Sequence, residues 1–173
     1  MSGLDLAAQV RDVPNFPKQG ILFKDITTLL QNGPAFRQAI DQLAEQTRDL
    51  VVDAVVGMES RGFIFAAPLA YLLGVGFVPV RKLGRLPART ISVEYELEYG
   101  SNSLEIHVDA LSPGARVLVV DDLLATGGTV AATIDLVERL EAEVVATAFL
   151  VELPFLKGRE RLEGRRVISL LKF

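Results

Sequence analysis

Residues 117–130 read VLVVDDLLATGGTV, and the rest of the chain is best read outward from them. Four apolar residues, three of them valine, form a run too short for a helix. Such a run fits a strand buried on both faces, as in a parallel sheet. Asp121 and Asp122 follow at its end, and then a loop of small residues, Ala125-Thr126-Gly127-Gly128-Thr129. In open α/β sheets, ligands lie beyond the carboxyl ends of the strands, which is where this run delivers its chain. Gly127 and Gly128 allow main-chain N–H groups to approach an anion closely. A helix beginning near Thr129 adds its positive end, and Thr126 and Thr129 add hydroxyl donors. The loop therefore reads as a cradle for one phosphate group. It lacks the GK[ST] of a Walker loop and the G-x-G-x-x-G of a dinucleotide site.

TGGT alone would equally suit a tight strand-to-helix turn capped by threonine. The two aspartates favour a ligand. Adjacent carboxylates at a strand end repel one another unless something engages them. Ribose hydroxyls are suitable donors, and Mg2+ is a suitable cation. A ligand with a phosphate at one end, a vicinal diol in the middle and a metal-bound polyphosphate beyond would use every element of the stretch.

Similar apolar, β-branched runs occur at residues 51–56, 77–80, 144–151 and 167–171. Helical patterns lie between several of them. Phe36, Ala39, Ile40, Leu43 and Leu50 follow one helical face, and Val130, Ile134, Val137 and Leu140 another. Unalternating strands separated by helices predict an α/β fold with a mostly parallel central sheet flanked by helices. Residues 62–80 carry no charge and approach membrane-spanning length. Pro68, Gly74, Gly76 and Pro79 interrupt them, so the segment reads as a buried helix ending near Gly74 and a buried strand from Gly76 to Arg81.

Two regions depart from this pattern. Residues 1–33 hold Pro14, Pro17, Gly20 and Gly33 around an apolar Ile21-Leu22-Phe23, and read as an irregular appendage. Residues 83–110 alternate. Ile91, Val93, Tyr95 and Leu97 fall on one side, Ser92, Glu94, Glu96 and Glu98 on the other, and Leu104, Ile106 and Val108 repeat the rhythm after YGSNS. That pattern predicts a half-exposed antiparallel hairpin, suited to be a lid. His107 is expected on its outward face with no chemical role. No repeat or linker divides the chain, so residues 1–173 are expected to form one domain.

The bulk numbers narrow the chemistry. Eighteen basic residues against 22 acidic ones give a net charge of −4, unsuited to holding nucleic acid by phosphate neutralisation. There is no cysteine and a single histidine, so thiol nucleophiles, thiolate metal sites and multi-histidine metal sites are excluded. The first residues, MSGLDLAAQV, have neither the basic flank nor the apolar core of a signal peptide, and the cytoplasm is the expected location.

The stretch 117–129 resembles the phosphoribosyl-pyrophosphate motif of the type I phosphoribosyltransferases, and DDLLATGGT is similar to the form found in their adenine-specific branch. Three further segments agree in order. Glu59-Ser60-Arg61-Gly62-Phe63 resembles the branch's ESRGF, residues 81–87 its RKxGKLP with Arg85 for the usual lysine, and Leu97-Glu98-Tyr99-Gly100 its LEYG lid. Leu156-Lys157-Gly158-Arg159 also fits, and the likeness runs from about Phe16 to Phe173. It implies the type I phosphoribosyltransferase fold with an N-terminal hood (residues 1–33) and a projecting lid hairpin (83–110). It implies transfer of the phosphoribosyl group from phosphoribosyl pyrophosphate to adenine, giving AMP and pyrophosphate, with Mg2+ carried by the substrate near Asp121 and Asp122.

The resemblance assigns roles residue by residue. Asp121 and Asp122 would hold the ribose hydroxyls, and Ala125, Thr126, Gly127, Gly128 and Thr129 the 5′-phosphate. Arg61, Arg81, Lys82 and Arg85 would meet pyrophosphate, with part of that segment able to serve the neighbouring subunit of a homodimer. Glu98 would handle the proton of the base, and Tyr99 would help close the lid. Phe23 would stack on adenine while the main chain of Leu22 and Lys24 reads its edge. Ala125 stands where hypoxanthine–guanine members usually carry an aspartate, which argues against a 6-oxopurine. The alternatives are another purine base, or a phosphoribosyl-pyrophosphate-sensing regulator of the same fold. A sensor would want a basic surface or a DNA-binding domain, and no membrane or nucleic-acid partner is expected.

Overall fold

The computed structural model describes residues 3–96 and 101–173. They form two compact units, 1–42 and 43–173. In the first, strand β1 (Arg11–Pro14) pairs antiparallel with β2 (Leu22–Asp25), and helix α1 (Thr27–Gln31) follows. This appendage is more regular than its prolines and glycines suggest. Its order comes from local pairing: Asp25 accepts the N–H of Thr27 at 2.9 Å and opens α1, Lys24 meets Asp12 at 2.6 Å, and Phe23 lies edge-on to Phe16 with ring centroids 5.1 Å apart. Helix α2 (Gly33–Gln46) runs from the first unit into the second. It stops short of Leu50, which lies beyond the last turn.

The second unit is built on seven strands: β3 (Ala54–Met58), β4 (Gly76–Lys82), β5 (Thr90–Glu96), β6 (Ser101–His107), β7 (Arg116–Leu124), β8 (Glu143–Glu152) and β9 (Val167–Lys172). Their order is β5-β6-β4-β3-β7-β8-β9, with β4, β3, β7, β8 and β9 parallel and the β5/β6 hairpin antiparallel at one edge. Each predicted apolar run is a strand. The first begins three residues later than its valines suggest, because Asp53 caps the start of β7 instead. Its carboxylate takes the Arg116 N–H at 2.8 Å and both guanidinium arms at 2.9 Å.

Helices α3 (Gly62–Leu73) and α4 (Gly128–Arg139) cover opposite faces. Alternate residues of a strand point to opposite sides. Ala54, Val56 and Met58 of β3 therefore share a core with Val130, Ile134 and Val137 of α4, while Gly57 lies against Ala66 of α3. A Cβ on Gly57 would come within 2.6 Å of the Ala66 Cβ, so that helix sits where only glycine permits. The uncharged segment 62–80 is α3 followed by β4, divided at Gly74, which ends the helix in the left-handed region at φ 69°. Among the described residues no helix is long and apolar enough to cross a membrane.

The predicted hairpin is β5 and β6, and its apolar side belongs to the core: Leu104 and Ile106 are buried, with Ile91, Val93 and Tyr95 packed beside them. His107 departs from expectation. It is half-buried, and its Nε2 accepts the Ala88 N–H at 3.3 Å, because the loop between β4 and β5 folds over the face that alternation assigns to solvent.

Candidate active site

The chain turns in opposite directions on leaving two adjacent strands. From β3 it crosses by α3 to β4 on one side, and from β7 by α4 to β8 on the other. Crevices open at such reversals. Here the crevice is a cavity of about 410 Å³ lined by Glu59, Ser60, Arg61, Lys82, Asp121, Asp122, Leu123, Ala125 and Thr129. A recess of about 60 Å³ adjoins it, formed by the turn through Thr126, Gly127 and Gly128. A larger hollow of about 490 Å³ lies at the opposite end of the sheet, between Asp53, Gly76 and residues 110–115, but no set of cations converges there.

The turn at residues 125–129 owes its shape to two glycines. Gly127 adopts φ 82° and precedes the first turn of α4. The cap is thus glycine, with no threonine side chain bonding back, so the plain threonine-capped turn is not what forms. A Cβ on Gly127 would meet the Gly158 carbonyl oxygen at 2.6 Å. Gly158 is closer still: its own Cβ would stand 2.2 Å from the Ala125 carbonyl oxygen and 3.0 Å from the Gly127 nitrogen. Residues 157–159 therefore press against the back of the turn. They are tied there by Arg159, which makes two hydrogen bonds to buried Glu152, at 2.9 and 2.6 Å. Ser169 adds a third at 2.6 Å, and this cluster holds the Glu152 carboxyl at a pKa of about 2, chiefly through Arg159.

The two aspartates are not equivalent. Asp122 is buried and takes the Arg61 Nε at 2.6 Å, with the arginine side chain still half-exposed. Asp121 accepts the Asp122 main-chain N–H at 2.9 Å. Burial, followed by the charge of Asp122, pushes its carboxyl well above the usual range. The close approach of α3 to these groups again requires glycine: a Cβ on Gly62 would lie 2.7 Å from Asp121 Oδ1. The tension between like charges is therefore partly met from within, by Arg61 on Asp122. Asp121 is the carboxylate left to gain from a hydroxyl donor.

The basic segment divides as well. Lys82 lines the cavity. Arg81 turns to Glu59 through bonds at 3.2 and 3.1 Å, and donates to the Arg85 carbonyl oxygen at 3.0 Å. Its guanidinium holds the Glu59 carboxyl below the ordinary glutamate range. Neither Arg81 nor Arg85 contributes to the cavity wall. The structure thus brings together Arg61, Lys82, Asp121, Asp122, Ala125 and Thr129, with Thr126, Gly127 and Gly128 alongside. Glu98 and Tyr99 lie outside the described residues. Leu22, Phe23 and Lys24 lie on β2 of the first unit, Leu22 with its side chain exposed. The hairpin reaches the site through Tyr95, whose hydroxyl is 3.4 Å from Thr129 Oγ1.

Sequence reasoning did not anticipate Glu59, Glu152, Gly158 or Tyr95. Glu59 and Gly158 stand inside segments that do carry a signal, ESRGF and LKGR, whereas Glu152 and Tyr95 are unremarkable until the strands are assembled.

Comparison with known proteins agrees with this geometry. Residues 27–169 match the model of the phosphoribosyl transferase domain. The chain is 61% identical to the adenine phosphoribosyltransferase of Chloroflexus aurantiacus over the full length of both. The chain belongs to the adenine phosphoribosyltransferase family. A crystal structure of the family member from Thermoanaerobacter pseudethanolicus superposes with a TM-score of 0.95 at 55% identity, covering 98% of each chain. That of the Saccharomyces cerevisiae enzyme, complexed with an imino-altritol bisphosphate and adenine, superposes at 0.90 and 45% identity, covering 95% of this chain and 96% of that one. The fold is accordingly the type I phosphoribosyltransferase fold of that family.

Proposed function

We propose that this chain transfers the 5-phosphoribosyl group from phosphoribosyl pyrophosphate to N9 of adenine, giving AMP and pyrophosphate in purine salvage. The observation that carries the proposal is the convergence, in one crevice, of a glycine phosphate turn, a carboxylate pair and the cations Arg61 and Lys82. The 5′-phosphate would sit against the amides of residues 125–129, with help from the Thr126 and Thr129 hydroxyls and the α4 N-terminus. The ribose diol would then lie on Asp121 and Asp122, whose negative charge would stabilise the cationic sugar that forms as the C1–O bond breaks. Pyrophosphate would depart with the bonding electrons toward Lys82 and Arg61, with Arg81 and Arg85 behind. Adenine N9 would form the new bond to C1, and its proton would pass to Glu98. Phe23 would stack on the base, with the main chain of Leu22 and Lys24 reading its edge, and Tyr99 would help close the lid. Ala125 offers no side-chain partner to a 6-oxopurine, which favours adenine.

Among the described residues there is no cluster of three or more carboxylate or imidazole groups able to hold a metal. Asp121 and Asp122 fit Mg2+ in the manner of a site completed by substrate oxygens and water. Bound there, the ion would offset charge on pyrophosphate. A homodimer in the cytoplasm is part of the same proposal.

Release of pyrophosphate on mixing the protein with adenine, phosphoribosyl pyrophosphate and Mg2+ tests the reading, with guanine, hypoxanthine, xanthine and uracil as competitors. No release, or preference for another base, overturns it. Glu98→Leu should lower kcat by about 10²-fold, in the range of a lost general base, while the Kd for phosphoribosyl pyrophosphate stays put. An unchanged kcat would remove Glu98 from the mechanism.

A further inference from the structure

Glu105 lies in the middle of β6 and is only 3% exposed, although its register neighbours Ser92 and Arg81 and the partial exposure of Ser103 and His107 mark a polar face. What covers it is the loop between β4 and β5. One carboxylate oxygen accepts the N–H groups of Arg85 and Leu86, both at 2.8 Å, and the other accepts the Thr90 hydroxyl at 3.2 Å. Burial works to raise the pKa of this carboxyl, yet the N–H donors of Leu86, Arg85 and Gly84 hold it below the ordinary glutamate range, so it is ionised. Among the described residues, main-chain bonds tie the loop to the hairpin only near its ends, from Leu83 N–H to the Ser103 oxygen and from Val108 N–H to the Arg89 oxygen. Between them the loop is held by side chains, with Glu105 as the chief acceptor.

The loop is connected to the crevice. The Arg85 carbonyl accepts from Arg81, Arg81 grips Glu59, and Glu59 accepts the main-chain N–H of Lys82 at 3.1 Å. Glu59 and Lys82 both line the cavity.

We infer that Glu105 is a positioning residue: it pins the 84–86 turn so that Arg81 braces Glu59 and Lys82 stands where pyrophosphate binds. This rests on the proposed function above. Glutamine at this site can present its oxygen to the two N–H groups and its amide to the Thr90 hydroxyl. Leucine fills the space but takes the shared acceptor away from both N–H groups, so the turn should open.

The test compares two ligands by calorimetry. Phosphoribosyl pyrophosphate with Mg2+ needs the basic segment, whereas AMP has no pyrophosphate and makes no call on it. Glu105→Leu should raise the Kd for phosphoribosyl pyrophosphate about tenfold, from loss of the positioned cations, and leave the Kd for AMP within about twofold. Glu105→Gln should restore the first value to within about threefold of the parent, because the hydrogen bonds survive. If Glu105→Leu does not fold, Glu105→Asp, which keeps the charge but draws the acceptors back, should shift the same ligand by about fivefold. Affinities for the two ligands that fall together, or that both stay unchanged in a folded variant, would overturn the inference. Failure of the parent protein to bind phosphoribosyl pyrophosphate would instead refute the proposed function.

Discussion

Replacing Gly158 by alanine adds one methyl group at a point where three main-chain atoms already stand. The new Cβ would lie 2.2 Å from the Ala125 oxygen, 3.0 Å from the Ala125 carbon and 3.0 Å from the Gly127 nitrogen. An ordinary carbon–oxygen contact is about 3.3 Å, so one of the two segments must retreat by about 1 Å. None of the three atoms belongs to a flexible side chain that could swing aside. Gly158 is not in the left-handed region, so backbone strain in the substituted residue does not contribute. Residues 157–159 are tied by Arg159 to buried Glu152, which leaves the 125–129 turn as the part that moves. A displacement of about 1 Å in a group that positions substrate costs roughly 10²-fold in rate. That corresponds to about 2.7 kcal/mol of transition-state stabilisation. Overpacking should also cost about 1–3 kcal/mol of stability. The assay is kcat/KM for phosphoribosyl pyrophosphate together with a thermal melt. Gly76→Ala serves as control, since a Cβ there meets nothing within 4 Å and Gly76 lies at the far end of the sheet. If Gly158→Ala folds and keeps kcat/KM within about threefold of the parent, close packing behind the turn is not what fixes the phosphate site.

Other tests address the charged groups. Arg61→Met strands the buried carboxylate of Asp122 and should cost about 2 kcal/mol, less than a fully buried pair because the arginine is half-exposed. Asp122→Asn in that background should recover roughly half, and a double-mutant cycle with no coupling would refute the pairing. Stability in acid should track Glu152. Its folded pKa of about 2 lies below the ordinary glutamate value of 4.5, so its contribution is complete above 4.5 and is lost as pH falls from there toward 2. Melting temperatures measured across that window should fall less steeply for Arg159→Met, and an identical slope would assign the acid sensitivity elsewhere.

The sequence alone determines whatever depends on neighbours in the chain. The buried run 117–120, the break at Gly74 between α3 and β4, and the alternation of β5 each reflect an element's own periodicity. The carboxylate pair and the glycine turn declared a ligand because their chemistry is contiguous. The order of the appendage is not legible in its sequence, because Pro and Gly content reports turns but not the Asp12–Lys24 and Arg11–Asp25 pairs that staple a short hairpin.

The remainder was decided by tertiary structure. Arg81 carries the same charge as Lys82, yet one is committed to Glu59 and the other lines the crevice. Asp121 and Asp122 differ because Arg61, sixty-one positions away from Asp122, donates its Nε hydrogen bond to the second. Glu105 and His107 sit at positions that alternation marks as solvent-facing, and a loop hides both. A residue's pattern along the chain reports which side of its own strand or helix it occupies. Which segment then covers that side is fixed by the order in which strands join the sheet, and strand order is a property of the assembled fold.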